Sequence, residues 1–310
     1  MHTTASSRAP GPHQRRPARA THRVLQLVLG IALCVVGTAA ATAAEQGSAA
    51  SLRASYAKHR ADIDSRKFGE PLHLASQQTS TTLQGDIHAL VDHPFEKVRA
   101  SLAALENWCE ILILHPNVKN CSTKAAQADQ PRSLAVTLGR AEVPVSFSYQ
   151  AVTSTTDYLD VRLGTPTGPF GTTDYRIRLE AAPMGQQTIL HLSYSHGYGV
   201  RAKLAMQAYF STLGRGKVGF TVVGKDAEGK PLYVSDLRGG LERNALRYYA
   251  SIESYLDALA APRQQQVEQR LRHWYAYTER HPLQLQEEPG YLDLKRKEAQ
   301  RVQAQGPRGA

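Results

Sequence analysis

Acidic residues are missing from the start of this 310-residue chain: none occurs before Glu45, while Arg8, Arg15, Arg16, Arg19 and Arg23 all fall within the first 23 positions. Val24 to Ala44 then carries no charge at all and ends in TAAATAA. A basic start, an apolar stretch and a run of small residues read as an export signal over 1–44, cleaved after Ala43 or Ala44. Left uncleaved, those 21 uncharged residues are just long enough to anchor the chain in the inner membrane. Arg15-Arg16 lacks the rest of a twin-arginine signal, and Leu33 before Cys34 is too large for lipoprotein processing. The expected location is the periplasm. Loss of five arginines takes the formal charge of +10 down to +5, and the remaining basic residues are interleaved with acids, so a nucleic-acid role is not expected.

Chemical motifs are equally scarce. His, Cys, Asp and Glu nowhere fall at metal-ligand spacing, H-E-x-x-H is absent, and His191 and His196, five apart, belong to opposite faces of a strand. No metal and no cofactor is expected. There is no G-x-S-x-G elbow. The run Gly164 to Gly171 has no Lys-Ser/Thr after it and reads as a hairpin connection. Gly197-Tyr-Gly199-Val-Arg-Ala202 matches G-x-G-x-x-A, but the preceding segment is polar at alternate positions, whereas a dinucleotide fingerprint needs a buried parallel strand. Cysteine is limited to three, and processing removes Cys34, leaving Cys109 and Cys121 as a pair in an oxidising compartment. They are expected to bond to each other, so neither is read as a nucleophile.

What is present begins with a polar leader, 45–71, helical around Ala50 to Ser65 and packed loosely on the body. Leu72 to Val91 is extended, with Leu83, Gly85, Ile87, Ala89 and Val91 on one face. Asp92-His-Pro opens a short amphipathic helix through Phe95, Val98, Leu102 and Leu105, closed by Asn107-Trp108, and a second apolar piece runs from Cys109 to Leu114. After a polar loop the period becomes two. Strands are predicted at 133–138, 143–152, 158–164, 172–182 and 188–198, with Phe147, Tyr149, Tyr175, Tyr194 and His196 on the inner side and Asp174, Arg176, Arg178 and Glu180 on a solvated outer side.

A helix over 201–213 and a hairpin around Asp226 to Lys230 precede the longest amphipathic stretch, Ser235 to Pro262. Its Leu237, Leu241, Ala245, Tyr248, Ile252, Tyr255, Leu256 and Leu259 recur at steps of three and four, so one face demands a large apolar partner. Gly239-Gly240 marks either a ragged helix start, the preferred reading, or a close approach to the backbone. Asn244 and Tyr248, four apart on the apolar side, bond within the core or face a ligand. Beyond Pro262 the chain reads as a polar, partly helical tail, 263–310.

The junction IHALVDHPFEKV at 87–98, Asn107-Trp108, His115-Pro116-Asn117-Val118 and LERNALRYYASIESYL resemble the START-like or SRPBCC superfamily over roughly 72–262. That resemblance implies an α+β helix-grip fold, a curved antiparallel sheet wrapped around a long C-terminal helix with a cavity between them for a lipid-, sterol- or polyketide-like ligand. The expected ligand contacts are Phe147, Tyr149, Tyr175, Tyr194, His196, Asn244 and Tyr248, and the expected function is carriage or sensing of a hydrophobic or amphipathic molecule. Two other classes stay open. One is an enzyme on the same fold, a cyclase or hydrolase using His196 and a Tyr as acid and base; the other is an envelope interaction or assembly protein using the tail. Segment 201–217 mixes apolar and basic residues and is expected to touch membranes transiently.

Overall fold

The computed structural model describes residues 47–126, 130–212 and 214–305. The export signal read at 1–44 and Leu213 lie outside them. The chain runs α1 (Ala49–Asp64), β1 (Leu72–Gln78), β2 (Thr82–Val91), α2 (Phe95–Leu102), α3 (Leu105–Leu112), then β3 (Val118–Lys124), β4 (Ser133–Leu138), β5 (Val143–Ser154), β6 (Leu159–Thr167), β7 (Thr172–Met184) and β8 (Gln187–Tyr198). After these come α4 (Val200–Ser211), β9 (Val222–Lys225), β10 (Pro231–Tyr233), α5 (Asp236–Ala258), α6 (Gln266–Glu279), α7 (Pro282–Leu285) and α8 (Tyr291–Gln305).

Strands β1 to β8 form one antiparallel sheet in the order β1-β2-β8-β7-β6-β5-β4-β3, and β9 with β10 forms a separate hairpin. Period two delivers the pattern: Leu83, Ile87, Ala89 and Val91 of β2, Leu159, Val161 and Leu163 of β6, and Leu190, Leu192 and Tyr194 of β8 are all buried. This is the helix-grip class, with the sheet wrapped on α5. Two strands were hidden in the sequence. Leu72 to Val91 is a hairpin, because the Thr79 hydroxyl accepts from the amides of Thr81 and Thr82 and turns the chain. The polar loop before the sheet contains β3, whose Val118 and Cys121 point inward. Cys121 is bonded to Cys109 of α3, with Cα atoms 5.2 Å apart, as expected. Closing so short a loop contributes about 3 kcal/mol by chain entropy.

The first apolar helix breaks at Ala103-Ala104 instead of at Asn107-Trp108, and the indole of Trp108, inside α3, donates to the Leu102 carbonyl across the break. Gly239 and Gly240 mark a close approach and not a ragged start. A Cβ on Gly239 would lie 2.7 Å from the Val234 carbonyl oxygen and 3.0 Å from the Gly219 amide nitrogen, and one on Gly240 2.6 Å from the Phe210 ring. Beneath them Glu242 has no exposure. Its carboxylate accepts from the amides of Phe220 and Thr221 and from the hydroxyls of Thr221 and Ser76, so the segment after α4 is tied to α5 through one buried acid.

Residues 263–305 are not a frayed tail. Leu271, Trp274, Tyr277, Leu285, Tyr291, Ala299 and Val302 belong to the same core as the sheet and α5. The Trp274 indole donates to Ser251 of α5, and the buried Lys295 ammonium donates to the carbonyls of His115 and Val118 while pairing with Glu298. The sequence pattern looks polar because Arg270, Lys295 and Glu298 are buried here too; Arg270 pairs with Glu110, and Lys295 reaches the His115 and Val118 carbonyls, partners far away in the chain.

The outer face of the sheet is not simply solvated either. α1 buries Ala49, Leu52, Tyr56 and Ile63 against Tyr158, Ala182 and Ile189. Under it the register sets His73 of β1 opposite His88 of β2, His88 opposite His191 of β8, His191 opposite Glu180 of β7, and Glu180 opposite Asp160 of β6. His191 sits between two carboxylates, 2.9 Å from Glu180 and 3.1 Å from Asp86. Burial acts to lower its pKa, but the bonds to Asp86 and Glu180 outweigh that and push it up to about 9. The neighbouring His88 is held down at about 3 by burial and then by the His191 charge, so it stays neutral.

Candidate ligand-binding site

The concave face carries two adjacent rows of side chains. One runs from Leu83 through His196 and Tyr175 to Thr165; the next runs from Gly85 through Tyr194, Ile177 and Leu163 to Tyr149. Gly85 offers no side chain, and Ala245 and Leu241 of α5 occupy the space above it: an added Cβ would lie 3.4 Å from that of Ala245. One turn further along α5 Tyr248 meets Tyr194, their ring centres 5.3 Å apart.

These contacts build a continuous line of polar-tipped rings. His196 stacks on Tyr175 at 4.8 Å, Tyr175 lies 6.2 Å from Tyr194, and His115, between α3 and β3, stacks on Tyr248 at 4.5 Å. Asn244 lies beside His115. Tyr175, Asn244 and Tyr248 are half-buried, whereas Tyr194, His196 and His115 are buried. The electrostatics keep the line neutral. Burial lowers the pKa of His196, and burial together with the charges of Arg247 and Lys295 lowers that of His115. Burial raises the phenols of Tyr175, Tyr194 and Tyr248, which stay protonated. Such a line offers apolar faces with hydroxyl and imidazole tips, able to orient the polar end of a molecule without a formal charge.

The seven residues named from sequence divide here. Tyr175, Tyr194, His196, Asn244 and Tyr248 come together, and Phe147 and Tyr149 do not join them. Phe147 pairs with Leu134 of β4, and the Tyr149 hydroxyl donates to the Ala103 carbonyl at 2.6 Å, so both serve the wall. His115 was missed as a site residue. Its signal was a histidine within an apolar run just before Pro116. His191 and His196 do face opposite sides of β8, the former into the carboxylates and the latter toward Tyr175.

A concavity of about 420 Å³ opens at the N-terminal end of α5, lined by Gln78, Lys203, Gln207, Tyr233, Asp236 and Arg238 among others. None of the seven residues lines it. Gln78, on its rim, reaches the Tyr198 hydroxyl at 3.5 Å, and that hydroxyl donates to the Thr79 carbonyl. α4, which overhangs this opening through Lys203 and Gln207, exposes Val200 at 76% and Leu204 at 61%, and Phe170, in the turn packed on α4, is 70% exposed. No described helix is long and apolar enough to cross a membrane.

No family model matches the chain, and no curated protein matches it. Among solved structures, norcoclaurine synthase from Thalictrum flavum aligns at 13% identity over 44% of this chain and 91% of its own, with a TM-score of 0.32. Ara h 8.0201 aligns at 9% identity over 61% of this chain and 99% of its own, TM-score 0.35. The Zhui aromatase/cyclase from Streptomyces sp. R1128 aligns at 12% identity over 38% and 70%, TM-score 0.31. Likeness at this level carries no argument about function, and the helix-grip description stands on strand order and register.

Proposed function

We propose that this protein binds a hydrophobic or amphipathic small molecule, lipid- or sterol-like, between its sheet and α5, as an exported carrier or sensor that leaves the molecule unchanged. The observation that carries the reading is the line His196, Tyr175, Tyr194, Tyr248 and His115, in which Tyr175 and Tyr248 are only partly buried. A closed core favours Leu, Ile and Val at such positions, because those side chains leave no hydroxyl to satisfy. Acid–base chemistry is the weaker reading, since no carboxylate contributes to the electrostatic surroundings of Tyr175, Tyr194, His196 or Tyr248.

The Cys109–Cys121 bond fits an oxidising compartment, and the basic, apolar sequence at 1–44 fits export to the periplasm. Loading is read as occurring at a lipid surface, where the exposed Val200 and Leu204 of α4 meet the acyl boundary and Arg201, Lys203 and Lys217 meet anionic headgroups. The test uses an environment-sensitive fluorescent fatty acid and a fluorescent sterol. Wild type binds at least one saturably, and Tyr248→Ala weakens that binding at least tenfold with an unchanged far-UV CD spectrum. Absence of binding across both probes and a broad lipid panel, or binding that Tyr248→Ala leaves intact, overturns the reading. Co-sedimentation with anionic vesicles that Lys203→Glu with Lys217→Glu leaves unaltered overturns the membrane contact alone.

A further inference from the structure

The row of histidines beneath α1 uses side chains that the ligand site does not. His59 and Asp62 stand three apart on α1 and therefore share one face of it. His73 reaches them from β1, across the turn that includes Arg66 and Gly69, both at positive φ. The His59 and His73 rings stack at 4.0 Å with 15° between their planes, and His73 Nδ1 lies 2.8 Å from an Asp62 carboxylate oxygen. One ligand atom from each of His59, Asp62 and His73 can be chosen so that all three lie within 4.8 Å of one another.

We infer that His59, Asp62 and His73 form a site for a divalent transition metal that clips α1 to β1. Two imidazoles and one carboxylate are a donor set suited to zinc, and imidazole serves copper and nickel as well. Bonds of about 2.0–2.1 Å in tetrahedral geometry put donors about 3.3 Å apart. Closing to that spacing needs the stacked His59 and His73 rings to swing out of parallel so that their in-plane lone pairs converge, and the exposed Asp62 carboxylate to move off His73 Nδ1. A fourth position faces solvent and takes water.

One observation supports a ligand here beyond the triad itself. Below the triad His88, 7% exposed, has its ring centre 4.8 Å from that of His59, and its Nδ1 has no partner while Nε2 meets the Ser55 hydroxyl at 2.8 Å. The ring next to His59 therefore carries a buried nitrogen left without a partner at the inner edge of the triad. The nearest charges are mixed: Lys58 and the His191 imidazolium oppose a cation, while Asp62 and, beyond His191, Asp86 and Glu180 favour it.

The experiment uses the tag-free full chain carrying Cys34→Ser, so that no free thiol competes, stripped with chelator and titrated separately with Zn²⁺ and Co²⁺. One equivalent should bind per chain, with visible Co²⁺ bands and a Zn²⁺-dependent rise in Tm. His59→Ala and His73→Ala should each weaken binding at least tenfold. His273→Ala, in a separate His–Asp group where His93 and His273 flank Asp257, should leave it unchanged. A merely structural His73–Asp62 bond would lower the metal-free Tm without changing metal affinity. If His73→Ala does not fold, Asp62→Asn, at an exposed carboxylate, decides the matter. No saturable equivalent, or an affinity that His59→Ala and Asp62→Asn leave intact, overturns the site.

Discussion

Replacing His191 with Gln isolates the strongest electrostatic feature of the outer face. The imidazolium lies between Asp86 and Glu180, and its side chain is only 17% exposed, so solvent screens the interaction little. Its pKa in the fold, about 9, exceeds the ordinary value of 6.5. A group raised in the folded state contributes stability that is fully present below the unfolded pKa and is lost as pH rises through the folded one. Integrating the proton linkage between those two values gives about 3 kcal/mol at pH 6, about 2.5 kcal/mol at pH 7 and about 0.4 kcal/mol at pH 9. Gln keeps a hydrogen-bonding side chain but never the charge, so the variant should be less stable by about these amounts. Glu253, pushed up to about 8 by burial, and Lys295, held down at about 8 by burial, also titrate in this window, but both are common to the two proteins and cancel in the difference. Urea unfolding from pH 6 to 9, followed by the fluorescence of the buried Trp108 and Trp274, measures that difference directly. A stability gap that stays flat across the range, or His191→Gln as stable as wild type at pH 6, would refute the assignment of a charged His191.

Gly239→Ala separates a close approach from helix propensity. A ragged start would gain about 1 kcal/mol from alanine, whereas contact with the Val234 carbonyl and the Gly219 amide should make the variant about 1–3 kcal/mol less stable, read by thermal or urea unfolding. Trp274→Ala should cost about 3–5 kcal/mol, because the ring is fully buried and bonded to Ser251; a loss under 1 kcal/mol would return 263–305 to the status of a tail.

Alternation and helical spacing by themselves determined the inner faces of β2, β5, β6, β7 and β8, the existence of α5, the sharing of one face of β8 by Tyr194 and His196, and the place of Tyr248 on the apolar face of α5. Each is a local consequence of backbone period, two in a strand and 3.6 in a helix, acting on apolar side chains. The Cys109–Cys121 bond was legible for a different reason, an even count once Cys34 is set aside. Tertiary structure decided what depends on partners distant in the chain. Lys295 looks like a surface residue until the carbonyls of His115 and Val118 receive it, and Gly239 looks like a weak helix start until Val234 and Gly219 close on it. His59, His73, His88 and His191 sit on α1, β1, β2 and β8, and only strand register and the docking of α1 bring them together. No local period records a contact between side chains of separate elements, so that cluster, and the metal site inferred at its edge, belong to the fold alone.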